Sequence, residues 1–112
     1  SFRAVGEKSS EAYNNFMNKS WYVYIITNYK NTVFYTGITN DLQRRLYEHK
    51  TGVTNNSFSK KYHLYKLIWF DEFNSPEDAI VIEKKVKDMR REKKLIFIKD
   101  KNPLLVDLST LR

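Results

Sequence analysis

The stretch from residue 22 to residue 49 constrains the fold most, because its hydrophobic pattern changes there from that of strands to that of a helix. Alternating β-branched and aromatic residues predict one strand over residues 21–27 and a second over residues 32–36. The polar residues between them are typical of a turn, so the two strands are expected to form a hairpin. Apolar and basic residues then recur at helical spacing from Leu42 to His49.

Four polar side chains of this stretch are predicted to face one concavity. Tyr24 and Tyr35 lie on the paired strands, and Arg45 and His49 lie one turn apart on the helix. Gly37 is predicted to end the second strand, at a point where an added Cβ would block a necessary conformation or a close approach.

The rest of the chain completes an α+β domain. A third strand is predicted over residues 66–72 and, as the most apolar run, is expected to be the central or best-covered strand. Residues 53–61 read as a polar loop. Ser75 and Pro76 are typical of a helix start, and the helix is expected to continue to about Lys94. The sequence therefore predicts a three-stranded antiparallel sheet flanked by helices.

The hairpin and its helix resemble the GIY-YIG endonuclease family, in particular its small single-domain members and the nuclease domain of the excision-repair incision subunit. Tyr22-Val23-Tyr24 stands at the first tripeptide, Tyr35-Thr36-Gly37 at the second, and Arg45 at the family's helical arginine. Tyr22 and Gly37 are thus implied to be structural positions of the motif. The likeness makes residues 1–19 an N-terminal extension and residues 20–112 the nuclease-like domain.

The resemblance implies a metal-dependent DNA endonuclease, acting in DNA repair or processing with a single Mg²⁺ or Mn²⁺ ion. Glu83 would bind the metal, Arg45 the scissile phosphate, and Tyr24 would orient or deprotonate the attacking water. Tyr35 would position the phosphate, and His49 would hold a tyrosine hydroxyl or pass a proton. The implied catalytic residues are Tyr24, Tyr35, Arg45, His49 and Glu83.

The charge distribution indicates a polyanionic partner. The net charge is +7, and the basic residues are concentrated in residues 40–66 and 83–101. Lys60, Lys61 and Tyr62 are predicted to contact nucleic acid, since they combine point charges with an aromatic face. Asn102 corresponds to the family's late asparagine and is predicted to join them. DNA is the expected partner, but charge and motif do not exclude RNA.

Composition limits the setting. The absence of cysteine excludes disulfides and thiolate metal sites and favours a reducing cytoplasm. No apolar run approaches the ~20 residues of a membrane span. With no DNA-reading module in addition to this domain, its own binding is expected to be sequence-tolerant, and recognition of branched or damaged DNA, or delivery by a protein partner, is expected to assist targeting.

Other interpretations of the same residues stay open at this stage. The tyrosines are also typical of ordinary strands, Glu83 could simply pair with Lys87 one turn later, and Tyr62 could pin a loop to the core. A non-catalytic module that binds nucleic acid or a partner protein is the alternative function, and an RNA nuclease is a second alternative.

Overall fold

The computed structural model of the chain describes residues 20–52 and 57–111. Three antiparallel strands form one sheet: β1 (Trp21–Thr27), β2 (Phe34–Thr39) and β3 (Lys66–Phe73). The spatial order is β2-β1-β3, so the predicted α+β fold with a three-stranded antiparallel sheet is confirmed. The expectation that the third strand is the central or best-covered one was wrong, because β1 lies between the other two strands and has five buried residues, whereas β3 has three.

Helices flank this sheet. They are α1 (Leu42–Thr51), α2 (Ser57–Lys61), α3 (Pro76–Lys87), α4 (Arg91–Lys101) and a 3₁₀ helix (Leu108–Leu111). The predicted loop over residues 53–61 was wrong for residues 57–61, which form α2, and residues 53–56 lie outside the described part. The N-terminal extension, residues 1–19, also lies outside it.

Capping explains where the first long helix begins and ends. The Asp41 side chain accepts a hydrogen bond from the Arg44 backbone N–H at 3.2 Å and so caps α1. Gly52 follows α1 in the left-handed conformation (φ +69°) and donates its backbone N–H to the Glu48 carbonyl. Helix α1 therefore has fixed ends, which fixes the directions in which its side chains project.

The helical region after β3 divides into two helices. Ser75 caps α3 through the Asp78 N–H, and Pro76 is the first helical residue, as predicted. The expectation of one helix to about Lys94 was wrong, because α3 ends at Lys87. Arg90 is extended (ψ 158°), and α4 starts after it.

The sheet separates two cores. Val23 and Ile25 of β1 point to one face and pack with buried residues of α3 and α4. Tyr24 and Ile26 point to the other face, where Leu42 of α1 is buried. This alternation follows from the two-residue period of a strand. It places Tyr24, the last residue of the first tripeptide, beneath α1.

An irregularity in β3 explains the role of Asn102. Ile25 pairs with Trp69 and Ile26 with Leu67, so Ile68 has no cross-strand partner. The Asn102 amide, buried at 4% exposure, donates to the Ile68 carbonyl at 2.9 Å. It also bonds the Val106 backbone in both directions, at 2.9 and 3.1 Å. Asn102 therefore joins the C-terminal segment to the bulge.

Candidate active site

Three aromatic side chains meet beneath α1. The rings of Tyr24 and Tyr35 are 6.4 Å apart between centroids, and the His49 ring lies 5.7 Å from Tyr24 and 5.3 Å from Tyr35. The Tyr24 hydroxyl and His49 Nε2 form a buried hydrogen bond of 2.8 Å. The structure thus brings both tyrosines and the histidine of the motif into one cluster.

Gly37 gives the Tyr24 hydroxyl its room. Gly37 does not end β2, as the sequence suggested, but pairs with Tyr24 inside the strand. A Cβ added there would lie 2.4 Å from Tyr24 Oη and 2.5 Å from Cζ. The predicted need for a close approach is therefore confirmed, and the group that approaches Gly37 is the phenol ring of Tyr24.

The electrostatic surroundings hold Tyr24 and His49 neutral. Both side chains are buried, at 0% and 1% exposure. Burial raises the pKa of Tyr24 above its usual value, although the Arg45 guanidinium, acting as a hydrogen donor, opposes the shift. Burial and the charge of Arg45 lower the pKa of His49 to about 4. At neutral pH, Tyr24 is therefore a phenol and His49 an uncharged imidazole.

Arg45 lies at the edge of this cluster with a partner that the sequence analysis missed. Its Nη1 is 3.0 Å from Glu48 Oε1, and Glu48 also contacts Arg44 at 3.5 Å. Arg45 keeps a quarter of its side chain exposed, whereas Arg44 is more than half exposed. The i, i+3 spacing of an arginine and a glutamate was the available signal for this contact.

Ser59 is the second residue that the sequence analysis missed. It is completely buried, and its hydroxyl lies 2.7 Å from His49 Nδ1. The chain of contacts thus runs from Tyr24 through His49 to Ser59. No sequence signal distinguishes this serine, because its burial depends on how α2 returns against α1.

Glu83 lies on α3, which packs against β1 and β2. Its side chain is 14% exposed, and its carboxylate forms a 2.9 Å ion pair with Lys87 Nζ. This i, i+4 pair is the alternative interpretation of Glu83 that the sequence allowed. The bond to Glu83 raises the pKa of Lys87, and Tyr35 adds a smaller contribution in the same direction. The Glu83–Lys87 pair is therefore within electrostatic reach of the aromatic cluster.

The donor set at Glu83 fits a hard divalent cation with one protein ligand. No group of three or more His, Cys, Asp or Glu suited to a metal occurs within residues 20–52 and 57–111. A single carboxylate suits Mg²⁺, which usually keeps several waters and takes further oxygens from a phosphate. The Lys87 ammonium would have to leave the carboxylate oxygen that such an ion needs.

Helix α2 extends the aromatic cluster toward solvent. The Phe58 ring is 6.2 Å from Tyr35 and 4.8 Å from Tyr62, and Lys61 Nζ lies 5.4 Å from the centre of the Tyr62 ring. Phe58 and Tyr62 are 44% and 39% exposed, and Lys60 is also exposed. Tyr62 thus packs against Phe58 and keeps part of its ring exposed to solvent.

Two other predicted positions, Tyr22 and Asn102, form contacts within the fold. Tyr22 is half-buried, and its ring meets Phe70 of β3 edge-on at 6.4 Å. The Asn102 amide is occupied by backbone groups, away from the cluster around His49. Among the described residues, no helix is both long and apolar enough to traverse a bilayer.

Comparison with known proteins gives consistent matches. The sequence model of the protein family described as the GIY-YIG catalytic domain matches residues 20–96 of this chain. A UPF0213 protein of Limosilactobacillus reuteri is 35% identical over 96 residues, covering 85% of this chain and 96% of the relative. The UPF0213 protein VPA1222 of Vibrio parahaemolyticus is 32% identical over 91 residues, covering 81% and 84%. The solution NMR structure of the UPF0213 protein BH0048 from Bacillus halodurans superposes with a TM-score of 0.50 at 28% identity, covering 82% and 96%.

Proposed function

Because this chain belongs to the GIY-YIG catalytic domain family, we propose that it is a metal-dependent DNA endonuclease that hydrolyses phosphodiester bonds. The observation that carries the proposal is the buried Tyr24–His49 hydrogen bond with Tyr35 and Arg45 beside it. Hydroxyl, imidazole and guanidinium groups in one cluster are suited to a phosphodiester in the presence of a cation.

Arg45 is the proposed phosphate ligand. A guanidinium has five N–H donors; Nη1 of Arg45 contacts Glu48, and Arg45 also donates to the Tyr24 oxygen. The donors that neither Glu48 nor Tyr24 uses are available for a phosphate, which a planar guanidinium can bind in a bidentate manner. The Glu48 carboxylate would then orient Arg45 while the quarter-exposed side chain meets the substrate.

The two tyrosines take different proposed roles because their exposure differs. Tyr35 is partly exposed and would contact the phosphate or the attacking water directly. Tyr24 is fully buried and neutral, so it would act from behind Tyr35 through its hydroxyl, which His49 holds. Of the two roles that the resemblance implies for Tyr24, we therefore propose that it orients the water and does not deprotonate it, because burial outweighs the effect of Arg45 on its pKa.

Glu83 would hold the single Mg²⁺ or Mn²⁺ ion. When bound, such an ion polarises the phosphoryl oxygen and stabilises the charge that develops during hydrolysis. Lys87, which is 56% exposed, can swing from Glu83 toward solvent or toward a phosphate. In this proposal the ion pair keeps the Glu83 carboxylate compensated until substrate and metal arrive.

Nucleic acid would approach along α2. Lys60 and Lys61 supply charges for the backbone, and the exposed faces of Phe58 and Tyr62 offer a stacking surface for a base. Because these groups lead directly to Tyr35, a strand bound there would reach the cluster. Asn102 is left out of this surface, because its amide is bonded to backbone groups.

Binding by the domain alone is proposed to be salt-sensitive and tolerant of sequence, since it rests on charge and stacking. Structure-selective cleavage, a role in DNA repair or processing, and delivery by a protein partner belong to the same proposal. So do the cytoplasmic setting and the assignment of residues 20–112 to the nuclease domain.

The test measures cleavage of supercoiled plasmid, a labelled branched DNA and a labelled RNA, with Mg²⁺, with Mn²⁺ and with a chelator. Glu83→Gln and Arg45→Ala are compared with matched controls on the same helices, Glu77→Gln and Arg44→Ala. Glu77 is exposed, and Arg44 shares the Glu48 contact but points to solvent. Circular dichroism verifies that every variant is folded.

We expect DNA cleavage that requires the metal and falls by about 10²–10³ in Glu83→Gln and Arg45→Ala, as for the loss of one charge-stabilising group. Both controls should cleave within a few-fold of the parent. Equal losses in Arg45→Ala and Arg44→Ala would contradict the assigned phosphate role. Binding without cleavage would favour the non-catalytic module, and cleavage restricted to RNA would favour the RNA nuclease.

A further inference from the structure

The buried contact between His49 and Ser59 defines the hydrogen positions in the cluster. Ser59 Oγ lies 2.7 Å from His49 Nδ1, and His49 Nε2 lies 2.8 Å from the Tyr24 hydroxyl. We propose that Ser59 is a positioning residue that holds His49 in the tautomer with its hydrogen on Nδ1, so that Nε2 accepts the hydroxyl hydrogen of Tyr24.

The Tyr24 hydroxyl has one hydrogen to donate. Arg45 has no acceptor atom, and it acts on the Tyr24 oxygen as a donor. Within the part of the chain that the structure describes, the hydrogen-bonding neighbour of the Tyr24 hydroxyl that is able to accept its hydrogen is His49 Nε2, 2.8 Å away. Nε2 must therefore carry a lone pair and no hydrogen.

The position of the histidine hydrogen then follows. His49 is buried beside the positive charge of Arg45, which keeps the imidazole uncharged, and an uncharged imidazole has one N–H. With Nε2 excluded, that hydrogen is on Nδ1, 2.7 Å from the Ser59 hydroxyl. A serine oxygen can accept it, and an alanine at this position would remove this 2.7 Å contact from a buried N–H.

The opposite tautomer conflicts with these neighbours. A hydrogen on Nε2 would point at the Tyr24 oxygen, so the hydroxyl hydrogen of Tyr24 would have to turn away from His49. The other polar neighbour of the Tyr24 hydroxyl is Arg45, which is a donor and cannot accept that hydrogen. Ser59 thus fixes, through His49, the direction in which the Tyr24 oxygen presents its lone pairs. The consequence for cleavage rests on the proposed function, but the tautomer does not.

The first experiment reads the tautomer by ¹⁵N NMR of the histidine ring nitrogens at pH 7. We expect a protonated Nδ1 and an unprotonated Nε2 for His49 in the parent protein. Ser59→Ala should lower the fraction of this tautomer, and Ser59→Thr, which keeps the hydroxyl, should preserve it. His63, whose exposed side chain packs on Tyr65, is the internal control and should be unchanged in both variants.

A parent protein whose His49 has its hydrogen on Nε2 would overturn the proposal, as would an unchanged His49 spectrum in folded Ser59→Ala.

The second experiment measures cleavage. Cleavage should fall about tenfold or more in Ser59→Ala, as for losing a group that orients a site residue, and it should be retained in Ser59→Thr. A shifted tautomer with parental cleavage would remove the positioning role. If the parent cleaves no substrate, the proposed nuclease function fails, while the NMR result still decides whether Ser59 sets the tautomer.

Discussion

The close contact between Gly37 and Tyr24 allows the fold and the site to be tested together. In Gly37→Ala the new Cβ would lie 2.4 Å from Tyr24 Oη, 2.5 Å from Cζ and 2.9 Å from Cε2. Tyr24 cannot easily move away, because it is completely buried on the central strand and bonded to His49. We therefore expect the substitution to displace the ring and break that hydrogen bond.

The magnitude can be worked from these contacts. Overpacking of a well-packed interior costs about 1–3 kcal/mol, and losing the Tyr24–His49 hydrogen bond costs about 1 kcal/mol more. Replacing glycine by alanine in a strand gains about 0.5–1 kcal/mol. The free energy of unfolding should thus fall by about 1–3.5 kcal/mol, and Tm should fall by roughly 4–8 °C for each kcal/mol lost.

Thermal and urea unfolding of a double-mutant cycle with Tyr24→Ala provide the assay. In that background the clashing ring is absent, so Gly37→Ala should be neutral or stabilise by about 0.5 kcal/mol. Gly52→Ala is the control: its positive φ and contact with the flexible Lys60 side chain should cost about 1 kcal/mol in both backgrounds. If Gly37→Ala costs the same with and without Tyr24, the steric explanation is refuted.

Two further predictions concern buried polar groups. His49 has a folded pKa of about 4 and an unfolded pKa near 6.5, so stability should fall by up to about 3 kcal/mol as the pH drops through this window, where the unfolded chain alone takes up the proton. His49→Gln should remove that component in urea titrations between pH 7 and pH 4, and an unchanged slope would contradict it. Thr36 is buried with no hydrogen-bond partner for Oγ1 among the described residues, so Thr36→Val should stabilise by about 1 kcal/mol. Thr27→Val is its matched control and should destabilise by about as much, because Thr27 donates to the Val33 carbonyl at 2.7 Å; a gain in both variants would contradict this reasoning.

The features that the sequence predicted correctly depend on local order along the chain. The spacing from Asp41 to Arg45 and His49 is set by the helix period once the cap is fixed, so the two side chains emerge on the expected face. Tyr24 and Tyr35 face the same side because the hairpin register follows from the short turn between their strands. The close approach at Gly37 could also be inferred, since a glycine within a strand commonly marks one.

The features that could not be predicted depend on packing between distant segments. Sheet order was missed because hydrophobicity ranked β3 above β1, although both have completely buried residues. The division between α3 and α4 carries no glycine or proline, and the apolar spacing continues through Met89. Ser59 could not be distinguished from other polar residues before α2 was known to cover His49.

The separation of the two cores has a consequence for how substrate can reach the proposed site. Glu83 belongs to α3, which packs on one face of the sheet, whereas Tyr35 and His49 lie on the other. Groups on opposite faces can act on one phosphate only around a sheet edge, and of the two edge strands β2 is the one that carries Tyr35 and also contacts α3. The outer side of β2 therefore has to stay open in an active nuclease, and a dimer that paired β2 with another strand would block cleavage.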